Sequence, residues 1–273
     1  MKWTALSMLL FLAFSAMGQE VSRLEVKGYY PKFSPDGKQI LLTSSKFTGL
    51  QLFDLKDKSL RTLTDKPGAG YKPAFRDGAI VFENKAAQLL ESVDLFSGKQ
   101  TSLTSAFSET VAHYEAIQKI KTRRTSALAV LAAEPTSMLN GVVLTMSDGS
   151  QRTIAPLGTK EDYIWTSVSP DGSKVLMKAS GYTAVIADME GNVLQDLGDL
   201  EAPRWLGNDQ VVYMVTEDNH DSYIKSDVFV MNLKTKKAEQ LTKDVNTIAL
   251  FPDAHEGKVV FNTPEGEVYM ISF

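Results

Sequence analysis

Cysteine is absent from the 273 residues. That excludes disulfides, thiolate metal sites and a thiol nucleophile, and also the cysteine on which a bacterial lipoprotein is acylated. Histidine is scarce, with three in the chain. No G-x-S-x-G elbow occurs, so serine hydrolysis lacks its usual nucleophile setting. Phosphate-loop and dinucleotide glycine patterns are missing too. There is no excess of positive charge: 29 Lys and Arg stand against 33 Asp and Glu, for a net −4. Nucleic-acid binding needs a concentrated basic face, so no such partner is expected.

Long apolar runs are confined to the start. Met1-Lys2-Trp3 is basic, Thr4 to Ala16 is apolar, and Ala16-Met17-Gly18 offers small residues. This is the pattern of a signal peptide over residues 1–18, cut before Gln19. A buried N-terminal helix is the alternative. The apolar run is short for a transmembrane helix, and no second one follows. The expectation is a periplasmic or secreted monomer, without a transmembrane segment after cleavage, whose residues 19–273 form one domain.

What is present is repetition. Ser34-Pro35-Asp36-Gly37 returns as Ser169-Pro170-Asp171-Gly172, 135 positions later. Phe33 precedes the first copy and Ile40-Leu41-Leu42 follow it. Val168 precedes the second and Val175-Leu176-Met177 follow. A strand, a tight Asp-Gly turn and a second strand are thus written twice. The separation is about three repeats of ~45 residues, the range of a four-stranded propeller blade.

The frame recurs elsewhere. Tyr71-Lys72-Pro73-Ala74-Phe75 matches Tyr29-Tyr30-Pro31-Lys32-Phe33, with its turn at Asp77-Gly78. Leu63-Thr64, Leu103-Thr104 and Leu241-Thr242 occupy matching blade ends. A fourth blade runs from Tyr163 to Leu197. A fifth starts at Pro203-Arg204-Trp205 and carries the longest insertion, Thr216 to Ser226. A sixth runs from Ile248 to Phe273. The third is degenerate, with strands expected at Tyr114 to Ile120, Ser126 to Ala133, Gly141 to Ser147 and Gln151 to Ala155. Ala127 to Ala133 reads alternatively as helix. The sixth blade is one strand short, and Val21 to Val26 alternates apolar and polar as a strand would. The sequence predicts an all-β fold: a six-bladed β-propeller of four-stranded antiparallel blades, closed by an N-terminal strand in the last blade. A five- or seven-bladed closure is the alternative.

At Pro31-Lys-Phe-Ser-Pro-Asp-Gly-Lys38 and Leu52-Phe-Asp-Leu55 the chain resembles the TolB-type propeller repeat. The resemblance extends over essentially all of residues 19–273. Related repeats occur in periplasmic adaptor proteins, in prolyl-oligopeptidase-like enzymes and in oligogalacturonate lyases. Two departures stand out: the extra N-terminal domain of TolB and the α/β-hydrolase domain of the oligopeptidases have no counterpart in this sequence. The resemblance therefore implies an exported propeller standing alone.

The Asp-Gly turns lack the alternating carboxylates of a calcium loop. On the propeller frame His113 and His220 fall on one face and His255 on the other, so no metal or cofactor is expected. First strands line the axis. That gathers Tyr29, Tyr30, Lys32, Tyr71, Lys72, Tyr114, Tyr163, Trp165 and Arg204 at one funnel, while Phe33, Phe75 and Trp205 pack between blades. Aromatics and Arg are enriched at binding hot spots. The expected binding residues are Tyr30, Tyr71, Lys72, His113, Tyr163, Trp165, Arg204, Asp218, His220 and Asp221. The expected role is a non-catalytic scaffold of the bacterial envelope, holding an envelope protein or a small polar ligand at the channel mouth. Two alternatives stand beside it. One is a carbohydrate- or peptide-processing lyase or hydrolase with its site in the channel. The other is a structural propeller that presents its outer edges.

Overall fold

In a computed structural model the described residues are 19–87, 89–105, 136–138, 141–145, 150–219 and 221–273. They begin with strand β1 (Glu20–Lys27). The first sheet is β2 (Tyr29–Phe33), β3 (Gln39–Thr43), β4 (Thr48–Asp54) and β5 (Leu60–Pro67). The second is β6 (Ala74–Arg76), β7 (Ala79–Asn84), β8 (Leu89–Asp94) and β9 (Gln100–Ser105). The third is β10 (Thr136–Met138), β11 (Gly141–Thr145) and β12 (Gln151–Ile154). The fourth is β13 (Tyr163–Val168), β14 (Lys174–Ala179), β15 (Ala184–Asp188) and β16 (Val193–Gly198). The fifth is β17 (Glu201–Trp205), β18 (Gln210–Asp218), β19 (Tyr223–Asn232) and β20 (Ala238–Gln240). The last holds β21 (Leu250–His255), β22 (Lys258–Asn262) and β23 (Glu267–Ser272), with β1 outside β23. All pairings are antiparallel. Among the described residues no helix is long and apolar enough to cross a membrane.

Strands β2, β10, β13, β17 and β21 are innermost, packing one against the next. β21 packs between β2 and β17, and β13 packs between β17 and β10. The second strands explain the continuous apolar runs. Ile40 and Leu42 face a cluster shared with the last sheet, whereas Leu41 faces one shared with the second sheet. Val175 and Met177 turn towards the third sheet and Leu176 towards the fifth. Val259 and Phe261 face the fifth sheet, and Val260 faces the first. A strand covered on both sides has no solvent face to encode, so period-two alternation disappears. Each fully buried side chain contributes about 1.5–3 kcal/mol, so the core is a set of slabs between sheets.

The expected six four-stranded blades are corrected. The described residues make five four-stranded sheets and one of three strands. The third sheet lacks the Ser-Pro-Asp-Gly frame, so nothing local sets its register. The expected strands Tyr114 to Ile120 and Ser126 to Ala133 lie outside the described residues, and β10 falls where no strand was expected. Closure through an N-terminal strand is corrected too. The last and first sheets meet through β21 against β2 and through the cluster of Phe33, Ile40, Val260 and Val268. β1 is an edge strand on β23, its register shifting between Arg23 and Lys27, and it adds Leu24 and Val26 to that cluster.

Candidate functional site

The inner strands share a backbone irregularity. The ladder to the second strand slips between Tyr29 and Lys32, Ile164 and Ser167, Glu201 and Arg204, and Leu250 and Asp253. At each slip one non-glycine residue is left-handed: Tyr30 (φ 53°), Trp165 (49°), Ala202 (46°) and Phe251 (52°). Lys72 (φ 52°) holds the same place just before β6. Proline follows four of these five residues, as Pro31, Pro73, Pro203 and Pro252. A following proline closes off the right-handed helical region and adds no N–H to satisfy. Each left-handed residue costs about 1–3 kcal/mol, and such strain gathers at functional sites.

Neighbouring blades steady these bulges. Tyr30 N–H donates to Asn262 Oδ1 (3.0 Å), and Asn262 is fully buried on β22. Phe251 N–H points at Met214 Sδ (3.2 Å) on β18. Lys178, on β14, donates to Asp199 Oδ1 and Glu201 Oε1, both at 2.6 Å. Burial pulls the Lys178 pKa down, but the two carboxylates outweigh it and hold it above its ordinary value. Thr43, on β3, fits against Gly70, where any Cβ would collide with its hydroxyl. Thr43, Lys178, Met214 and Asn262 occupy one register position, each opposite the strand residue that precedes a bulge. One position thus serves four junctions with four chemistries.

Past the bulges, polar side chains step from one inner strand to the next. Arg204 Nε of β17 lies 3.5 Å from Asp253 Oδ1 of β21. Asp253 Oδ2 accepts from Phe33 N–H of β2 at 2.7 Å. Lys32 Nζ of β2 reaches Pro73 O, beside β6, at 3.4 Å. Two cations and a carboxylate therefore form a belt across four sheets. The bulge residues Tyr30 and Phe251 join an arc of rings. Tyr71 meets Phe47 edge-on (5.5 Å), Phe47 stacks on Tyr30 (4.4 Å), Tyr30 meets Phe251 (4.5 Å), and Phe251 meets Tyr223 edge-on (6.4 Å). Trp165 packs into the same cluster as Phe251 and Tyr223. Burial, then the neighbouring Tyr223, raises the Tyr30 pKa and keeps its phenol protonated.

The expected site residues separate. Tyr30, Tyr71 and Trp165 belong to the arc, Lys72 borders it, and Arg204 belongs to the belt. Tyr163 is fully buried in the slab between the third and fourth sheets; its hydroxyl accepts from Leu157 N–H and donates to Gly158 O. Asp218 ends β18 and Asp221 is exposed in the loop beyond. His113, Tyr114 and His220 lie outside the described residues, as do residues 1–18. His255 packs at the far end, its ring 5.9 Å from that of Phe33 and hard against Gly37. Among the described residues no three His, Cys, Asp or Glu side chains gather as a metal would require. Phe47, Phe251, Tyr223 and Asp253 escaped the sequence reading. Pro252, aligned with Pro31 and Pro73, is the signal that finds Phe251 and Asp253.

No family model and no curated protein matches the chain. Solved structures do. A structure of oligogalacturonate lyase from Vibrio parahaemolyticus is 16% identical, with 94% of each chain covered and a TM-score of 0.56. TolB from Acinetobacter baumannii is 16% identical over 87% of this chain and 55% of its own, at 0.53. Virginiamycin B lyase from Staphylococcus aureus is 9% identical over 94% and 100%, at 0.59. These likenesses show the fold, a β-propeller like those of TolB and the lyases. They also correct the expectation of a non-catalytic, protein-binding scaffold. Several of the similar structures are lyases, so the fold gives no reason to deny catalysis.

Proposed function

We propose that the chain is an exported enzyme of the lyase class, with its reaction in the channel at the belt of Lys32, Arg204 and Asp253. The observation that carries this reading is the belt itself. Opposite charges are held by inner-strand backbone, and a protonated, half-buried tyrosine, Tyr30, lies on the same strand as Lys32. Such a set suits elimination. Asp253 takes the proton from the carbon next to a carbonyl, and Arg204 and Lys32 stabilise the negative charge that develops on its oxygen. The new C=C bond forms as the C–O bond to the leaving group breaks, and Tyr30 protonates the departing oxygen. No oxidant or co-reactant is needed. The export pattern of residues 1–18 supports an activity outside the cytoplasm.

The test is turnover of oligogalacturonate and of virginiamycin B, substrates named for similar structures, followed by absorbance of the C=C bond formed. One of them is expected to turn over. Asp253→Asn and Tyr30→Phe should each lower kcat about 10²-fold, as loss of a general acid or base does. No absorbance above the blank with either substrate, or full activity in Asp253→Asn, overturns the reading.

A further inference from the structure

Tyr71 is the exposed end of the aromatic arc, and cations flank it. Lys85 Nζ lies 4.4 Å, and Lys72 Nζ 5.4 Å, from the centre of its ring. The two ammoniums therefore sit within about 10 Å of each other, close to the screening length at physiological ionic strength. Both lysines are exposed. Among the described residues neither makes an ion pair with a carboxylate. Lys46, next to Phe47 in the chain, adds a third exposed lysine at this end of the arc.

The fold holds these lysines in place. Lys72 is fixed in the left-handed region (φ 52°) ahead of Pro73. Lys85 N–H donates to Pro67 O at 3.1 Å. The Lys85 stem lies across Gly68 (φ 82°), where any Cβ would collide with its Cγ and Cδ. Beneath it Lys66 is neutralised by the buried Glu91, which also accepts from Asn84 Nδ2 at 3.0 Å. Asn84 Oδ1 in turn accepts from Ala87 N–H at 3.2 Å, which stiffens the turn that carries Lys85. The fold thus supplies a carboxylate to Lys66 and none to the pair around the ring. A ring attracts a cation, but a second cation beside it adds repulsion that an anion relieves.

The kind of cation narrows the kind of anion. The flat fork of arginine matches a planar carboxylate, whereas lysine is a compact point charge suited to phosphate. Two lysines match a tetrahedral dianion. The rings that lead away from Tyr71 add an apolar surface, which a bare ion would leave uncovered. A glycerol phosphate headgroup has no ring to lay there. A sugar has one, and its hydroxyls suit the polar belt carried by the same inner strands. We propose that Lys72, Lys85 and Tyr71 form a site for a phosphate monoester on a sugar ring, with the phosphate at the ammoniums and the ring face on the arc. The site uses neither Arg204 nor Asp253, so it stands whether or not elimination occurs in the channel.

The experiment is calorimetric titration above about pH 7, where a phosphate monoester is close to a dianion. The probes are glucose 6-phosphate, glucuronate and glucose, which share one ring, and inorganic phosphate, which has none. Glucose 6-phosphate should bind about fivefold more tightly than glucuronate, the upper range for one further exposed charge pair. Glucose should not bind measurably, and inorganic phosphate should bind severalfold more weakly than the ester because it leaves the rings uncovered. The Lys72→Ala/Lys85→Ala variant should lose about tenfold in affinity for the ester and its preference over glucuronate. Both side chains are exposed, so this variant keeps the fold. Gly68→Ala retains every charge but displaces the Lys85 stem, and should weaken the ester about threefold. Equal affinity for the ester and glucuronate, or an unchanged double variant, overturns the proposal. Inorganic phosphate bound as tightly as the ester would mean an adventitious ion only, and overturns it as well. Sedimentation with phosphatidic acid vesicles without binding of glucose 6-phosphate would give the lysines to a lipid surface and overturn it too.

Discussion

The two ends of the propeller are built on opposite rules. At the far end the turns repeat atom for atom. Ser34 Oγ donates to Asp36 (2.7 Å), whose carboxylate also accepts from Lys38 N–H (3.2 Å), and Gln39 N–H donates to Ser34 Oγ (3.0 Å). Ser169, Asp171, Ser173 and Lys174 make the same set at 2.6, 3.0 and 3.0 Å. The turns between third and fourth strands repeat likewise, with Asp54, Asp94, Asp188 and Asn232 each accepting from backbone N–H groups that follow. At the mouth the backbone bulge repeats but the side chains do not: Asn262, Met214, Lys178 and Thr43 share a position and nothing else. Where chemistry repeats, it holds the scaffold. Where geometry repeats and chemistry varies, the scaffold is presenting different groups to something.

The matched turns break this symmetry at one point, and the largest expected effect lies there. Gly37 and Gly172 have nearly the same φ, 65° and 73°. A Cβ on Gly172 would meet nothing within 4 Å, whereas one on Gly37 would run into the His255 ring. Gly172→Ala should cost about 1 kcal/mol, the left-handed penalty alone. Gly37→Ala should cost about 3 kcal/mol, because overpacking is added. Urea denaturation measures both. Removing the obstacle with His255→Ala should bring the cost of Gly37→Ala back to about 1 kcal/mol. Equal costs in the single variants would mean that the first-to-last junction is not tight at this turn.

The same contrast governs what could be read beforehand. The far end was legible because Ser-Pro-Asp-Gly is local: its hydrogen bonds close within six residues, from Ser34 to Gln39. The Tyr30, Tyr71 and Lys72 positions were legible because they flank a repeated proline. Tyr163 was misplaced because alternation cannot tell a residue facing the channel from one facing the next blade. Asp253 and Phe251 were hidden because their roles depend on partners on other sheets, such as Phe33 N–H 220 positions away. The third sheet was hardest, with no Ser-Pro-Asp-Gly turn to anchor its register.

Relieving the strain at the mouth should stabilise the fold. Lys72 is the cleanest position: it is left-handed and exposed, with its ammonium 5.4 Å from the centre of the Tyr71 ring. Lys72→Gly removes the steric penalty at the cost of a more flexible unfolded chain, for a net gain of about 0.5–1 kcal/mol. Lys72→Ala keeps the Cβ and should bring no such gain. A Lys72→Gly protein no more stable than wild type would show that the left-handed backbone there is unstrained.

The smallest expected effect is electrostatic and belongs to the repeated turn. The hydroxyl of Ser169, then the N–H of Ser173, hold the Asp171 pKa at about 2, below its ordinary value of 3.8. A pKa depressed by folding stabilises the native state above the unfolded value, and that contribution drains away as pH falls through the folded one. The window therefore runs from about pH 4 down to about pH 2. Asp171 is exposed, so solvent screening limits the contribution to under about 1 kcal/mol. Asp36, also lowered because Ser34 and Lys38 outweigh its burial, should behave in the same direction. Denaturation of wild type and Asp171→Asn from pH 7 to pH 2 isolates the group by difference. The gap should stay constant down to about pH 5, narrow through pH 3 and be largely gone by pH 2. A gap that persists unchanged at pH 2 would mean that the turn is held by its backbone bonds and Gly172 alone, with the carboxylate contributing nothing.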